Sequence, residues 1–248
     1  MRNLLAGAIA LLTMVTLWTV MPTPAQAEEA VTKEYCKSIL QEPQDFLKRS
    51  YYRYPGCRGK ECGKRHQDVH EYRTRNYGRF KKVGKASWND KTPKDYSQKT
   101  TFMGIKVTLN KRIIPAVKCV ELELKTQCQE CVKSSEYPNE CKKKFPYKPK
   151  RLSGQRYRNS FKGSEVSNHV YGIALDLDPS KNTCCGCVAK WRAHPMCKKK
   201  LEVHERMIMP VCWVDIFEKY GFYWLGHDKL QDTMHFEFLG KPDLLEKR

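Results

Sequence analysis

Twelve cysteines stand in this chain of 248 residues, and their redox state constrains the fold more than any other feature. The N-terminus decides that state. Arg2 is followed by an apolar run from Leu4 to Val20, then by Pro22, Pro24 and the small-residue site Ala25-Gln26-Ala27. A basic start, an apolar stretch and an A-x-A site have the form of a secretory signal peptide, residues 1–27. The run lies near the short limit for spanning a bilayer, and the prolines and cleavage site behind it favour removal over anchoring. The mature chain is therefore expected to begin at Glu28 and to be exported to a periplasmic or extracellular space, with no stable membrane insertion. Cysteines in such compartments form disulfides. An even count permits every thiol to pair, although twelve cysteines allow roughly ten thousand connectivities. Cys57 and Cys62 are placed to close a short loop. "CQEC" (128–131) and "CCGC" (184–187) resemble halves of a zinc knuckle, a reading suited to reducing compartments. The adjacent Cys184 and Cys185 are not expected to pair with each other, because that bridge is strained.

A formal charge of +19 draws an exported chain toward polyanions such as cell-wall polymers, anionic headgroups or extracellular nucleic acid. Charge alone does not choose among them.

Past the signal, about 220 residues suffice for one large domain or a domain with a smaller cap. Residues 31–50 have helical spacing. The stretch up to residue 100 is polar, basic and rich in Tyr and Gly, so residues 28–100 read as a cysteine-containing basic extension that covers the rest. Within it "HQDVH" sets His66 and His70 four apart on one helical face, as metalloprotease helices do. Gln67 stands where that motif needs Glu, so the pair reads as chance spacing on a surface helix. From residue 101 the patterns sharpen. "TFMGIKVTLNKRII" alternates like a strand, and "PAVKCVELELKTQC" has helical spacing with Pro115 in its first turn. "CQECVKSSEYPNEC" reads as a cysteine-tied insertion. "MPVCWVDIFEKYG" reads as a helix stopped at Gly221, followed by strands in "FYWLG" and "MHFEF".

Two of these stretches carry chemistry. In "SNHVYGIALDLD" (167–178) a strand after Gly172 sets Ile173, Leu175 and Leu177 on one face, and Ala174, Asp176 and Asp178 on the other. Gly172 lets the chain turn so that His169 reaches Asp176. In "DTMHFEF" (232–238) Met234, Phe236 and Phe238 face a core, while His235 and Glu237 face away. Catalytic zinc takes three protein ligands, often His and carboxylate, and leaves one position open. His169, Asp176 and His235 meet that requirement, and Asp232 stands within reach of the site as a general base.

Ser167, His169, Gly172, Ala174 and Asp176 form an S-x-H-x-x-G-x-A-x-D pattern, and Asp232, His235, Phe236 and Glu237 form an acid-x-x-H-F-E pattern. Together they resemble the zinc D-alanyl-D-alanine carboxypeptidases and related peptidoglycan endopeptidases, over roughly residues 100–248. The resemblance implies an α+β fold of the hedgehog-like type, a small antiparallel sheet flanked by helices, here with disulfide-tied insertions and the N-terminal extension. It implies a peptidase domain at 101–248, Zn2+ held by His169, Asp176 and His235, and Asp232 as catalytic acid/base. Peptidoglycan stem peptides are then the partner, and no nucleic acid is expected. An arginine eleven residues before the first ligand recurs in part of the family, and Arg158 matches it as oxyanion cation, with Arg156 as rival. Glu237 is placed to orient His235 or to be a solvated strand residue; His194 and His204 read as surface loop residues. The alternative is a non-catalytic zinc-containing wall-binding or signalling module of the same fold, against which the retention of Asp232 argues.

Overall fold

The alternation in residues 101–114 folds as half of a hairpin rather than as one strand. The computed structural model describes residues 31–44, 60–80, 89–128, 146–159, 166–187 and 189–246. In it, β1 (Ser97–Phe102) and β2 (Ile105–Asn110) pair antiparallel, with Phe102 opposite Ile105. Met103 and Gly104, with φ of 50° and 79°, make the two-residue turn. Positive φ at both central residues gives a twist that matches the flanking strands. Asn110 then caps a short 3-10 turn by accepting from Arg112 N–H.

Helix α3 (Ile114–Gln127) starts with proline in its first turn, as its spacing predicts, and buries Val117, Val120 and Leu124. Two helices precede it, one shorter and one longer. α1 (Lys33–Ser38) is capped by Thr32 Oγ1, which accepts from Tyr35 N–H at 3.1 Å, and α2 spans Lys60–Tyr77. After the site-bearing segment come two single-turn helices, α4 (Ala189–Arg192) and α5 (Pro195–Lys198), and then α6 (Val211–Lys219), which begins after Pro210. Val31–Arg248 form one compact unit, so residues from the basic extension, α1 and α2 among them, are built into it.

A four-stranded antiparallel sheet lies against α6. Its strands β3 (Leu152–Ser153), β4 (Ala174–Leu177), β5 (Phe222–Trp224) and β6 (His235–Phe238) run in the order β3-β4-β6-β5. Phe217 of α6 stacks on Phe236 of β6 with ring centroids 4.1 Å apart and meets Phe222 at 5.2 Å. Leu175, opposite Phe236, is fully buried. Burying each such side chain stabilises the fold by about 1.5–3 kcal/mol. The expected α+β class is what forms: two small antiparallel sheets flanked by helices.

The disulfide expectation is met among the described residues, where no cysteine is free. Cys36–Cys119 ties α1 to α3, and Cys128–Cys212 ties the end of α3 to α6. Cys184–Cys187 and Cys185–Cys197 brace the loop after β4, so Cys184 and Cys185 pair apart and "CCGC" is not a zinc knuckle. The signal segment, Cys57 with its proposed loop, and most of the insertion at 128–141 lie outside the described residues. No helix among the described residues is long and apolar enough to cross a membrane.

Candidate metal centre

Strand register decides which side chains meet. Asp176 of β4 lies directly opposite His235 of β6, and Ser153 of β3 lies opposite Asp176. The neighbouring Leu175–Phe236 pair points into the core, so by alternation the Asp176–His235 pair points to the other face. Asp178 does not share that face, contrary to the sequence expectation. It turns out of the strand at φ 44°, and its carboxylate accepts from Tyr147 Oη–H and from the backbone N–H groups of Lys150 and Arg151 at 2.8–2.9 Å. A left-handed Asp that bonds nearby backbone is a turn anchor.

His169 comes from a tight turn over residues 166–173. Val170 N–H donates to Ser167 O, Gly172 N–H to His169 O and Ile173 N–H to Asn168 O. Gly172 has φ 71°, and a Cβ there would sit 2.7 Å from Asn110 N, whose N–H donates to Gly172 O at 2.8 Å. The turn therefore presses flat against the end of β2, as only glycine allows. It carries His169 Nε2 to 3.0 Å from Asp176 Oδ1 and 3.2 Å from His235 Nδ1, while His235 Nδ1 lies 2.8 Å from the same Asp176 oxygen.

The outer ring nitrogens fix what these atoms are. His169 Nδ1 lies 2.7 Å from Gly154 O. A carbonyl only accepts, so Nδ1 carries hydrogen and the neutral ring presents a lone pair at Nε2. His235 Nε2 lies 3.1 Å from Glu237 Oε2, which by the same reasoning leaves the Nδ1 lone pair facing inward. Two lone pairs and a carboxylate oxygen thus converge in a buried place, His169 being 1 % exposed. Such a set needs a cation at its centre. Without a metal that cation is a proton. Burial alone would lower the His235 pKa, but its bonds to Asp176 and Glu237 outweigh burial and push it up to about 10. Burial lowers that of His169 despite Asp176. For Asp176 burial acts upward, yet the two histidines hold its carboxyl well below the usual range.

The residues present fit a metal ion. These three side chains form one cluster of ligand atoms, and their mutual separations approach the roughly 3.3 Å that tetrahedral bonds of about 2.0–2.1 Å would impose. Each histidine has an acceptor on its outer nitrogen, the arrangement that orients metal-binding imidazoles.

Asp232 is not part of this cluster. It lies in the loop before β6, partly buried, with Oδ2 3.9 Å from Cys187 Sγ. That loop is held by a ladder to the disulfide-braced segment: Gly186 N–H donates to Leu230 O, Thr233 N–H and Oγ1–H both donate to Thr183 O, and Cys184 bridges Asp232. Arg156 and Arg158 are both exposed, with Tyr157 between them at 58 %. Arg156 N–H donates to His169 O at 2.9 Å, its Nη2 lies 3.4 Å from Ser167 Oγ, and its charge adds to the depression of the His169 pKa.

Three participants had no signal in the sequence. Gly154 contributes a carbonyl, which no side-chain pattern reveals. Asn168 Nδ2 donates to Glu237 Oε2 at 2.9 Å, and Arg73 of α2 donates to Asn168 Oδ1 at 2.7 Å. His70 is 4 % exposed, near Tyr171 Oη, not on a surface; of the pair at 66 and 70 only its side chain is described. His194 caps α5, its Nδ1 accepting from Met196 N–H.

A histidine from a turn meets an aspartate and a histidine from facing strands, and these are residue types from which mononuclear catalytic zinc centres are also built. A family model described as D-alanyl-D-alanine carboxypeptidase matches residues 162–238, a span containing His169, Asp176, Asp232, His235 and Glu237. The resemblance read from the two motifs is borne out over this segment, and the chain is carboxypeptidase-like there. No curated protein and no solved structure matches the chain.

Proposed function

We propose that the protein is an exported zinc metallopeptidase that hydrolyses a peptide bond in peptidoglycan stem peptides, as a D-Ala-D-Ala carboxypeptidase or an endopeptidase. One observation carries this reading: His169, Asp176 and His235 converge through atoms whose partners leave their lone pairs facing inward, inside the segment that matches the family. These three side chains hold the ion, which when bound supplies Lewis-acid polarisation of the scissile carbonyl and of a water molecule. Gly154 O and Glu237 keep both imidazoles in the tautomer that holding it requires. Asp232 takes the proton of the attacking water and returns it to the leaving amine. The ladder from Thr183 to Thr233 fixes the loop from which it acts. A cation from the segment 155–159, just after β3, stabilises the oxyanion. Arg158 has the family spacing, and Arg156 has the contact beside His169.

The test is digestion of purified muropeptides by the zinc-supplemented mature chain, followed by mass spectrometry. Loss of a terminal D-alanine, or splitting of a cross-linked dimer, is expected; a chelator should abolish it and added zinc restore it. Intact muropeptides after exposure to zinc-loaded protein overturn the proposal. Arg156→Ala and Arg158→Ala, each assayed with zinc retained, assign the oxyanion cation to whichever lowers kcat.

A further inference from the structure

Helix α2 belongs to the basic segment that sequence alone leaves without a role, yet its Arg73 is only 4 % exposed. Arg73 Nη1 donates to Asn168 Oδ1 at 2.7 Å and to Val166 O at 2.8 Å. Asn168 Nδ2 donates to Glu237 Oε2 at 2.9 Å, and the same oxygen meets His235 Nε2 at 3.1 Å. We propose that Arg73, acting through Asn168 and Glu237, is a positioning residue for His235: it sets the direction of every bond in this chain and so fixes the face that the imidazole offers to the metal. The inference rests on the metal-site reading above.

The argument is one of donors and acceptors. A guanidinium has hydrogens to give and no lone pair with which to accept. Asn168 must therefore turn its oxygen toward Arg73, which settles an amide orientation that symmetry would leave open. Its NH2 group then faces Glu237, whose Oε2 accepts. That oxygen also accepts from His235, so Nε2 carries a hydrogen and Nδ1, beside Asp176 and His169, is the nitrogen left for a metal. Asn168, Glu237 and His235 are each 7 % exposed or less, so water has little access to replace a lost partner, and a buried chain of this kind is costly to break.

The first member is itself held. The Arg73 guanidinium lies 4.8 Å from the centre of the Tyr171 ring, two residues beyond His169. Its bond to Val166 O grips the start of the turn that carries His169. Lysine lacks the planar face that the guanidinium lays near the Tyr171 ring. Helix α2 thus reaches both histidines, one through Glu237 and one through the turn.

Two variants separate positioning from bulk stability. Arg73→Met removes the source of polarity. Asn168→Asp is nearly isosteric and keeps the acceptor facing Arg73, but it replaces the donor facing Glu237 with a second carboxylate oxygen. Arg75→Met, exposed on the same helix, is the control. The readouts are the His235 Nε2–H resonance in 15N-labelled, metal-free protein and zinc affinity by competition with a chromophoric chelator. Wild type and control should show a slowly exchanging Nε2–H. Both test variants should lose it to solvent exchange, with zinc Kd raised by the roughly 10–100-fold typical of removing an outer partner of a metal-binding histidine. Folded variants that keep both the resonance and the affinity overturn the proposal. If Arg73→Met fails to fold, Asn168→Asp decides alone. A wild type that binds no zinc would sink the peptidase reading, and the resonance would then decide the bond direction by itself.

Discussion

Gly172 permits a prediction whose size follows from its surroundings. Alanine there must take φ 71°, and its Cβ must share space with a backbone nitrogen 2.7 Å away. The first cost can be measured separately, because Gly104 has φ 79° with nothing within 4 Å of its would-be Cβ. Left-handed backbone costs an L-residue roughly 1–2 kcal/mol, offset by about 0.4–1 kcal/mol from the stiffer unfolded chain, so Gly104→Ala should destabilise by about 1 kcal/mol. Gly172→Ala bears the same term plus overpacking of about 1–3 kcal/mol. Asn110 N cannot retreat cheaply, since its own hydrogen bond ends on Gly172 O. The total is about 2–4 kcal/mol. At the roughly 2–4 °C per kcal/mol typical of a unit this size, Tm should fall by about 4–16 °C, against a few degrees for Gly104→Ala. Paired thermal and urea melts with the disulfides intact give both values. Equal losses in the two variants would refute the claim that the turn is pressed against β2.

Asp232→Asn should leave zinc bound while muropeptide hydrolysis falls by roughly 10²–10⁴-fold, the usual loss with a general base; near-normal turnover by the zinc-replete variant removes Asp232 from the mechanism, and loss of zinc makes it a ligand. Elemental analysis should give one zinc per wild-type chain and a loss of it in His169→Ala and in His235→Ala, because two remaining ligands hold it poorly; full zinc in both would place the metal elsewhere. His227 Nε2 lies 2.8 Å from Glu218 Oε1, and that bond raises its pKa above 6.5 against the opposing effect of burial. The stabilisation is fully present below about pH 6.5 and disappears as pH rises through the raised pKa; for a pair this exposed it is worth under about 1 kcal/mol. Glu218→Gln should shift the His227 NMR titration midpoint back toward 6.5, and an unmoved midpoint would remove Glu218 as the cause.

The local grammar of this sequence reads well where one short rule decides the outcome. Pro115 and Pro210 mark helix starts, Gly221 follows a helix end, and period-two alternation in "ALDL" and "HFEF" places Asp176 and His235 on a shared face. Reading failed where a competing local preference or a distant partner intervened. Met103-Gly104 turns back a segment whose alternation runs on unbroken. Asp178 continues the alternation of β4 in the sequence, but its carboxylate meets three hydrogen-bond donors at residues 147, 150 and 151, so it leaves the strand. Arg73 could not be read at all. Nothing in "HEYRTRNYG" distinguishes a buried guanidinium from a solvated one, because its partners Val166 and Asn168 lie 93 and 95 residues away. Asp176 and His235 pair across 59 residues, yet each announced itself by breaking an apolar run.

The direct opposition of Asp176 and His235 also makes the site a reporter of its own assembly. A slip of β6 by one residue would set Asp176 against Met234 or Phe236, and because side chains alternate with period two it would turn His235 toward the Phe217 stack and an aromatic ring outward. A slipped sheet could remain compact, oxidised and rich in strand, and circular dichroism would not distinguish it. It would not bring the three ligand atoms together. Metal occupancy of freshly refolded chains would therefore count molecules in the native register, a proofreading signal that ordinary measures of folding do not supply.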